Sequence, residues 1–438
     1  MNRCLVLKVI SVALASIVLQ SCATPTQTQS ASASATPQTA SSQATSSNTP
    51  FVSGIAVAPR WGAGSIPYAK GVGVSSVRVD APWKLIEVQR GQYAVPNWLD
   101  QLVTASLQAG MQPLLILDYG NPFYSSDKPK TPDEIEAFKR YAVFVVNHFK
   151  GRVHTYELWN EWNSKTGGTT GSDAESYVAF ASQIVPAIRA ADPGIKVISQ
   201  GVSPGGVRGG WLNHFFDIKG YKLFDGVALH PYSWPWKTDR NPEATIQFVD
   251  RLQAAAQASN GGKPIDFYIT EMGWPTFKGD MGENREAAAA YLSRFMLLAS
   301  CRTYIRGVWW YGLIDEGNDA ADPEQNFGIY DSAKNEKPAA VALQKTTQVL
   351  SQGNGQCTVT QQNGAVTVQL KGAKSGGNGS TVLHWRGGDI APGGAAWAQA
   401  PAEKALSVAT PPAGTPLFTL PSNRSEGVPQ LIDGRATQ

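Results

Sequence analysis

Two short stretches set a glutamate among aromatic and amide side chains. The first reads Tyr156-Glu157-Leu158-Trp159-Asn160-Glu161-Trp162-Asn163, and it runs out of an apolar segment into the loop Ser164-Lys165-Thr166-Gly167-Gly168. The second is Thr270-Glu271-Met272-Gly273-Trp274-Pro275. A carboxyl ringed by indoles suits acid/base chemistry on a sugar. Indole faces stack on the C–H face of a pyranose, and an apolar wall raises a carboxyl pKa. Taken alone, Glu161 reads equally well as a helix cap or an ion-pair partner, of Lys165 for example. A pair facing one cleft is different. One carboxyl protonates a departing glycosidic oxygen while the other attacks the anomeric carbon or activates water. A separation of about 5.5 Å predicts retention of configuration, and about 6.5–9.5 Å predicts inversion.

The elements that must position this pair form a regular series from residue 51 onward. Strand candidates are Val52–Ala58, Ser75–Val79, Gln112–Leu117, His154–Trp159, Lys196–Ser199, Gly226–Leu229, Asp266–Thr270 and Arg306–Trp310. Helical spacing occupies Asn97–Ala109, Pro132–Phe149, Ala174–Ala191, Pro242–Ala258, Glu283–Cys301 and Pro338–Leu350, with a shorter candidate at Gly209–Phe216. Thr131-Pro132 and Asn241-Pro242 pair an N-cap residue with a first-turn proline. The connection Gly62–Gly73 is only weakly helical. Eight strands alternating with helices predict an α/β chain folded as a (β/α)8 TIM barrel. A doubly wound open sheet is the alternative, but no Gly-x-Gly-x-x-Gly follows any strand.

Reactive groups of such a barrel sit at the C-terminal ends of its strands. The strand ends read Arg78-Val79-Asp80 with Trp83, Asp118-Tyr119-Gly120-Asn121, Asn160-Glu161, His230-Pro231-Tyr232-Ser233-Trp234, Thr270-Glu271 with Trp274, and Trp309-Trp310-Tyr311. Polar and aromatic residues thus gather at one end. Strands four and seven lie across the barrel, so Glu161 and Glu271 face one cleft.

Asn160-Glu161 closing strand four, Thr270-Glu271-Met272-Gly273-Trp274 closing strand seven, and the eight-strand order resemble the clan A retaining glycoside hydrolases. The barrel followed by a C-terminal β-sandwich is similar to glycoside hydrolase family 39, and within it to PslG-type lipoproteins that cut a biofilm exopolysaccharide. The resemblance spans roughly residues 50–420. It implies Glu161 as acid/base and Glu271 as nucleophile. It implies Asn160 on the 2-hydroxyl of the reacting sugar, Arg78 beside Glu271, and His230 and Tyr232 around both carboxyls. Trp310 would floor the sugar, or Trp309 one register away; Trp83, Trp234 and Trp274 are further substrate-binding candidates. Bland readings stand beside these: Arg78 as a barrel partner of Glu157, His230 as a core histidine, the tryptophans as packing. The implied substrate is a polysaccharide cut from within. Exo-acting β-xylosidase chemistry is the near alternative, and a silent polysaccharide-binding lipoprotein the distant one. No cofactor is required.

The rest of the chain frames that reading. Charged residues are 16 % of 438 and the net charge is +3, with no basic run, which argues against a nucleic-acid partner. Residues 1–22 read as a lipoprotein signal peptide: a basic start, an apolar run Val9–Leu19, then Leu19-Gln20-Ser21-Cys22 with Cys22 as the acylated residue. Ala23 after that cysteine resembles outer-membrane sorting, so the expected location is exported, tethered to the bacterial outer membrane by lipid alone. Residues 23–50, nearly all Ala, Ser, Thr, Gln and Pro, read as a flexible linker. Residues 51–352 are the expected barrel and 353–438 a small β-sandwich, with strands near Cys357–Val359, Ala365–Lys371, Thr381–Trp385 and Pro416–Leu420. Cys301 and Cys357 are left to form a disulfide or stay as two thiols. A monomer is expected. Gly201-Val202-Ser203-Pro204-Gly205 mimics a serine-esterase elbow, but Pro204 lacks the N–H that its oxyanion hole needs. The five His are scattered, with no Cys-x-x-Cys or His-Glu-x-x-His, so no metal site is expected.

Overall fold

The structure is a computed structural model. It describes residues 50–169, 171–236, 238–372 and 380–389, with two short strands at 417–418 and 431–432, all within one compact unit, Ser41–Gln438. The expected signal peptide, Cys22 and the linker lie outside the described residues.

Eight parallel strands form the barrel: β1 Val52–Ala56, β2 Ser76–Pro82, β3 Gln112–Asp118, β4 Thr155–Leu158, β5 Lys196–Ile198, β6 Val227–Leu229, β7 Phe267–Met272 and β8 Ile305–Trp310. The hydrogen-bonded order is β5-β4-β3-β2-β1-β8-β7-β6. Bridges Ile198 to Gly226 and Val202 to Leu229 close the ring between its two ends. The barrel interior is filled by Leu114, Ile116, Ile198, Ala228, Tyr268 and Trp309. The outward faces of the strands pack on the helices as one larger core.

Local chemistry sets the helix starts. Thr131 makes a full capping box with Glu134 ahead of helix Pro132–His148. Asp173, Asn241 and Asn284 each accept a backbone N–H at the starts of Ala174–Ala191, Pro242–Ser259 and Arg285–Ser300. The weakly helical connection forms a 3₁₀ segment, Pro59–Ser65, and one short helix, Ile66–Gly71. Among the described residues no helix is long and apolar enough to cross a membrane.

The final helix, Pro338–Gln352, runs straight into β9 Gly353–Gln362, which pairs antiparallel with β10 Ala365–Gly372 and that with β11 Ser380–Arg386. These strands belong to the expected C-terminal β-sandwich. The sheet is fixed to the barrel by a buried group: Arg294 pairs with Glu243, and Trp385 Nε1 donates to Glu243 at 2.7 Å. Cys301 and Cys357 are joined as a disulfide, with 5.1 Å between their Cα atoms.

Candidate active site

The cleft opens at the C-terminal ends of the strands and has a volume of about 700 Å³. Its floor is built around Arg78. From β2 the guanidinium reaches three acceptors on other elements. Nε and Nη2 grip Glu157 at 2.8 and 3.1 Å, Nη2 also donates to Asn160 Oδ1 at 3.0 Å, and Nη1 donates to Glu271 Oε1 at 2.6 Å. Both alternatives weighed for Arg78 are therefore present at once: it is the barrel partner of Glu157 and the partner of Glu271.

Glu161 leaves β4 by an unusual backbone path. Trp159 and Glu161 both have positive φ, 75° and 46°. Neither residue favours that region, and such strain clusters at functional sites. The path is pinned on both sides: Trp159 N–H donates to Leu117 O, and Glu161 N–H to Gly201 O at 3.1 Å. The result turns Asn160 and Glu161 into the cleft while Trp159 and Trp162 turn away. Trp162 is buried, stacked on Phe180 at 4.9 Å.

His230, fully buried, bridges the two carboxyls. Its Nδ1 lies 3.0 Å from Glu161 Oε1 and 3.4 Å from Glu271 Oε2, and its Nε2 is 3.1 Å from Thr270 Oγ1. Tyr232 donates its hydroxyl to Glu271 Oε2 at 2.9 Å. Ligand atoms of Glu161, His230 and Glu271 lie within 4.8 Å of one another. Burial raises the Glu271 carboxyl, but His230, Arg78 and the Tyr232 hydroxyl outweigh it and hold the group below the usual glutamate value. Glu271, half-buried, is thus a carboxylate kept ionised and facing a second carboxyl.

The structure gathers Arg78, Asn160, Glu161, His230, Tyr232 and Glu271, and it sets Trp234 on the cleft wall. Three sequence candidates go elsewhere. Trp83 is wholly buried, stacked between Tyr124 and Tyr141, with its N–H on Glu87. Trp274 is buried against Tyr291, Phe295 and Trp310, its N–H on Arg240 O. Trp310 is 2 % exposed, and its alternative Trp309 fills the barrel interior with its N–H on Ser76. The chain end that reaches the cleft after β8 is Tyr311. A one-residue step decides which aromatic lines a site at a strand end, and spacing alone does not fix that step.

Several lining residues were not anticipated as site residues: Asp80, Tyr119, Tyr311, Glu316, Glu324 and Phe327. Tyr119 accepts from Asn160 Nδ2 at 2.7 Å. The β3 end Asp118-Tyr119 carried the signal for it; Glu324 lies in the short 3₁₀ segment Pro323–Asn326 with Phe327 at its end, and neither has a spacing signal. Ser203, the elbow mimic, caps the short helix Pro204–Arg208 and accepts from Asn163 at 2.6 Å.

Comparison with known proteins supports what this geometry suggests. Residues 63–310 match the family model described as Cellulase (glycosyl hydrolase family 5), more than half of the chain. A putative glucan endo-1,3-beta-glucosidase from Hordeum vulgare is 28 % identical over 105 residues, 21 % of this chain and 31 % of that protein. The match thus spans about a third of that relative's length. A family 39 glycoside hydrolase from Bacteroides cellulosilyticus WH2 is similar in structure, with TM-score 0.64 and 22 % identity over 77 % of this chain and 71 % of that one. A monomeric beta-xylosidase from Caulobacter crescentus CB15 gives TM-score 0.54 and 17 % identity over 75 % and 76 %. At these identities the structural likenesses show the fold. The family model agrees with this fold. The chain belongs to the glycosyl hydrolase family 5 (cellulase) family.

Proposed function

We propose that this chain is a retaining endo-glycosidase that cuts a bacterial exopolysaccharide of the biofilm matrix. The observation that carries the retaining mechanism is the separation of the two carboxyls, whose oxygens approach within 4.8 Å. Retaining pairs stand about 5–5.5 Å apart, whereas an inverting pair leaves room for a water. Glu271, ionised and gripped by Arg78 and Tyr232, attacks the anomeric carbon. Glu161 gives its proton to the departing oxygen. The resulting glycosyl ester on Glu271 is then hydrolysed by water, which gives a proton back to Glu161. His230 orients both carboxyls. Asn160, held by Arg78 and Tyr119, meets the 2-hydroxyl of the reacting ring.

Endo action is supported by aromatic surface beyond the reacting ring: Trp234 lines the cleft, and Trp236 on the same loop is 37 % exposed. We further propose a monomer tethered to the outer membrane through Cys22, with the Ala/Ser/Thr/Gln/Pro segment as spacer. The deciding experiment is trapping with a 2-deoxy-2-fluoro glycoside, followed by peptide mass spectrometry. The expected adduct is on Glu271; an adduct on any other residue overturns the assignment. Product sizing on a panel of exopolysaccharides reads the rest: a ladder of oligosaccharides supports endo action, and monosaccharide alone overturns it.

A further inference from the structure

His230 stands between Glu161 and Glu271 with its two ring nitrogens in different company. Thr270 Oγ1 donates to Glu157 Oε1 at 3.2 Å, and Glu157, gripped by Arg78, only accepts. The one hydroxyl proton of Thr270 is thereby spent. Oγ1 must then receive the hydrogen of His230 Nε2, 3.1 Å away. In the neutral ring Nε2 therefore carries the hydrogen and Nδ1 the lone pair. That lone pair faces Glu161 Oε1 at 3.0 Å and Glu271 Oε2 at 3.4 Å. An imidazole whose other N–H is held from behind is the support that metal-ligating histidines carry.

The spacing fits a metal. Zinc binds imidazole nitrogen and carboxylate oxygen at about 2.0–2.2 Å, which sets tetrahedral ligands about 3.3 Å apart. The two distances from His230 Nδ1 straddle that value, and all three ligand atoms lie within 4.8 Å of one another. Both carboxyls open to the cleft, with 12 % and 13 % of their side chains exposed. Arg78 occupies Glu271 Oε1, Tyr232 takes one lone pair of Glu271 Oε2, and Ser164 donates to Glu161 Oε2 at 3.0 Å. Each carboxyl keeps an acceptor direction toward the other. The field favours a cation as well. Asp80, Glu161, Glu271, Glu316 and Glu324 line the cleft, and Arg78 is the one cationic residue among the described lining. Arg78 is itself offset by Glu157, while Arg60 pairs with Glu316 at 2.7 Å.

We propose that Glu161 Oε1, His230 Nδ1 and Glu271 Oε2 form a three-ligand site for a divalent transition cation of the zinc kind, with water in the fourth position, and that the bound cation inhibits the chain. Three protein ligands and an open position are a common zinc arrangement. An imidazole among few oxygens suits zinc and its neighbours; magnesium and calcium take oxygen ligands in larger number. The ligands come from β7 and from just beyond the ends of β4 and β6, so no sequence spacing announces them. The site stands on geometry; the inhibition rests on the glycosidase reading. In that reading the cation holds both working carboxyls, and ester formation on Glu271 takes away one of its ligands. Cation and glycosyl-enzyme therefore exclude each other.

The test uses the full chain, freed of metal with a chelator, and Zn²⁺ as the probe. Calorimetry shows a site in the parent that Glu161→Gln and Glu271→Gln, which keep the shape and lose a ligand, each weaken at least about tenfold. Thr270→Val, which removes the partner of Nε2, weakens it about 10–100-fold. On 2,4-dinitrophenyl glucoside and xyloside Zn²⁺ raises KM and leaves kcat unchanged, whereas Mg²⁺ at the same concentration changes neither. A chain trapped on Glu271 with a 2-deoxy-2-fluoro glycoside no longer binds Zn²⁺ at this site. No binding by the parent, or an affinity unchanged in both glutamine variants, overturns the proposal. A trapped chain that binds Zn²⁺ as the free one does overturns it too. Equal inhibition by Mg²⁺ reduces the effect to charge screening and overturns the inhibition. A parent chain inactive on both glycosides overturns the glycosidase reading and the inhibition with it, while calorimetry still decides the site.

Discussion

Nη1 of Arg78 lies 2.6 Å from Oε1 of Glu271, while the rest of the same guanidinium grips the wholly buried Glu157. One planar fork therefore neutralises a structural carboxylate and holds Glu271, the proposed nucleophile. The bidentate grip on Glu157 fixes the plane of the guanidinium, so the contact with Glu271 is set by the barrel rather than by a mobile side chain.

Replacing Arg78 by Met separates into two effects. Glu157 is left as an uncompensated buried charge, which costs about 3–5 kcal/mol of stability. Glu271 loses a cation that lowers its pKa, so that pKa rises. As the proposed nucleophile Glu271 must be ionised, and the acidic limb of the kcat/KM profile therefore moves to higher pH. Thermal unfolding and a pH–rate profile read the two. An unmoved limb in a folded variant contradicts the electrostatic role of Arg78.

Glu161→Gln removes the proposed proton donor and leaves Glu271 in place. General acid–base groups contribute about 10²–10⁴-fold, so hydrolysis of an ordinary glycoside falls by that order. A substrate with a good leaving group needs no protonation for the first step and accumulates as the ester on Glu271. Added azide, which needs no base to attack, restores turnover as glycosyl azide. Loss of activity without azide rescue places the acid/base elsewhere.

Gly201 is required by His230. A Cβ built on it would lie 2.0 Å from His230 Nε2, far inside van der Waals contact. Gly201→Ala therefore displaces the imidazole that orients both carboxyls. Overpacking of this kind costs about 1–3 kcal/mol. We expect kcat to fall more than the melting temperature suggests, because the displaced ring touches Glu161 and Glu271 directly. Kinetics and calorimetry on one preparation check this.

The Cys301–Cys357 bond closes a loop with a sequence separation of 56. In the chain-entropy model it contributes about 4 kcal/mol. It sits where helix Arg285–Ser300 ends ahead of β8, at the barrel end opposite the cleft. Replacing both cysteines by serine lowers the melting temperature and leaves kcat at 25 °C unchanged. Free thiols at both Cys301 and Cys357 in the non-reduced protein would show instead that the pair is open.

Glu283 is buried with Oε1 on Arg240 and Oε2 without a donor among the described residues. Burial pushes its carboxyl up to about 7 against the pull of Arg240. A raised folded-state value means that the folded chain holds a proton which the unfolded chain has lost. Stability therefore falls as pH rises from about 4.5 to about 7, and the loss is complete above that. In Glu283→Gln this part of the slope disappears, as a plot of unfolding free energy against pH would show.

The strands and helices were legible because the signals are local. All eight strand positions agree with the structure within a few residues, and Thr131, Asn241 and their following prolines mark the helix starts where expected. Alternation, helical spacing and capping are properties of neighbouring residues. The same locality put Glu161 and Glu271 at strand ends, and barrel topology then placed both at one mouth.

What the sequence determined by itself was the barrel, its order, and the two carboxyls as a pair. The tertiary structure decided which neighbours serve them. Trp83, Trp274 and Trp310 carry the same indole as Trp234, yet three are packed away and one lines the cleft. Register shifts between β7 and β8 and the positive-φ turn at Trp159–Glu161 set which side chain faces inward. Arg78 with Glu157 and His230 between two glutamates join residues far apart in the chain. These distances depend on how the strands close, and no local pattern records that.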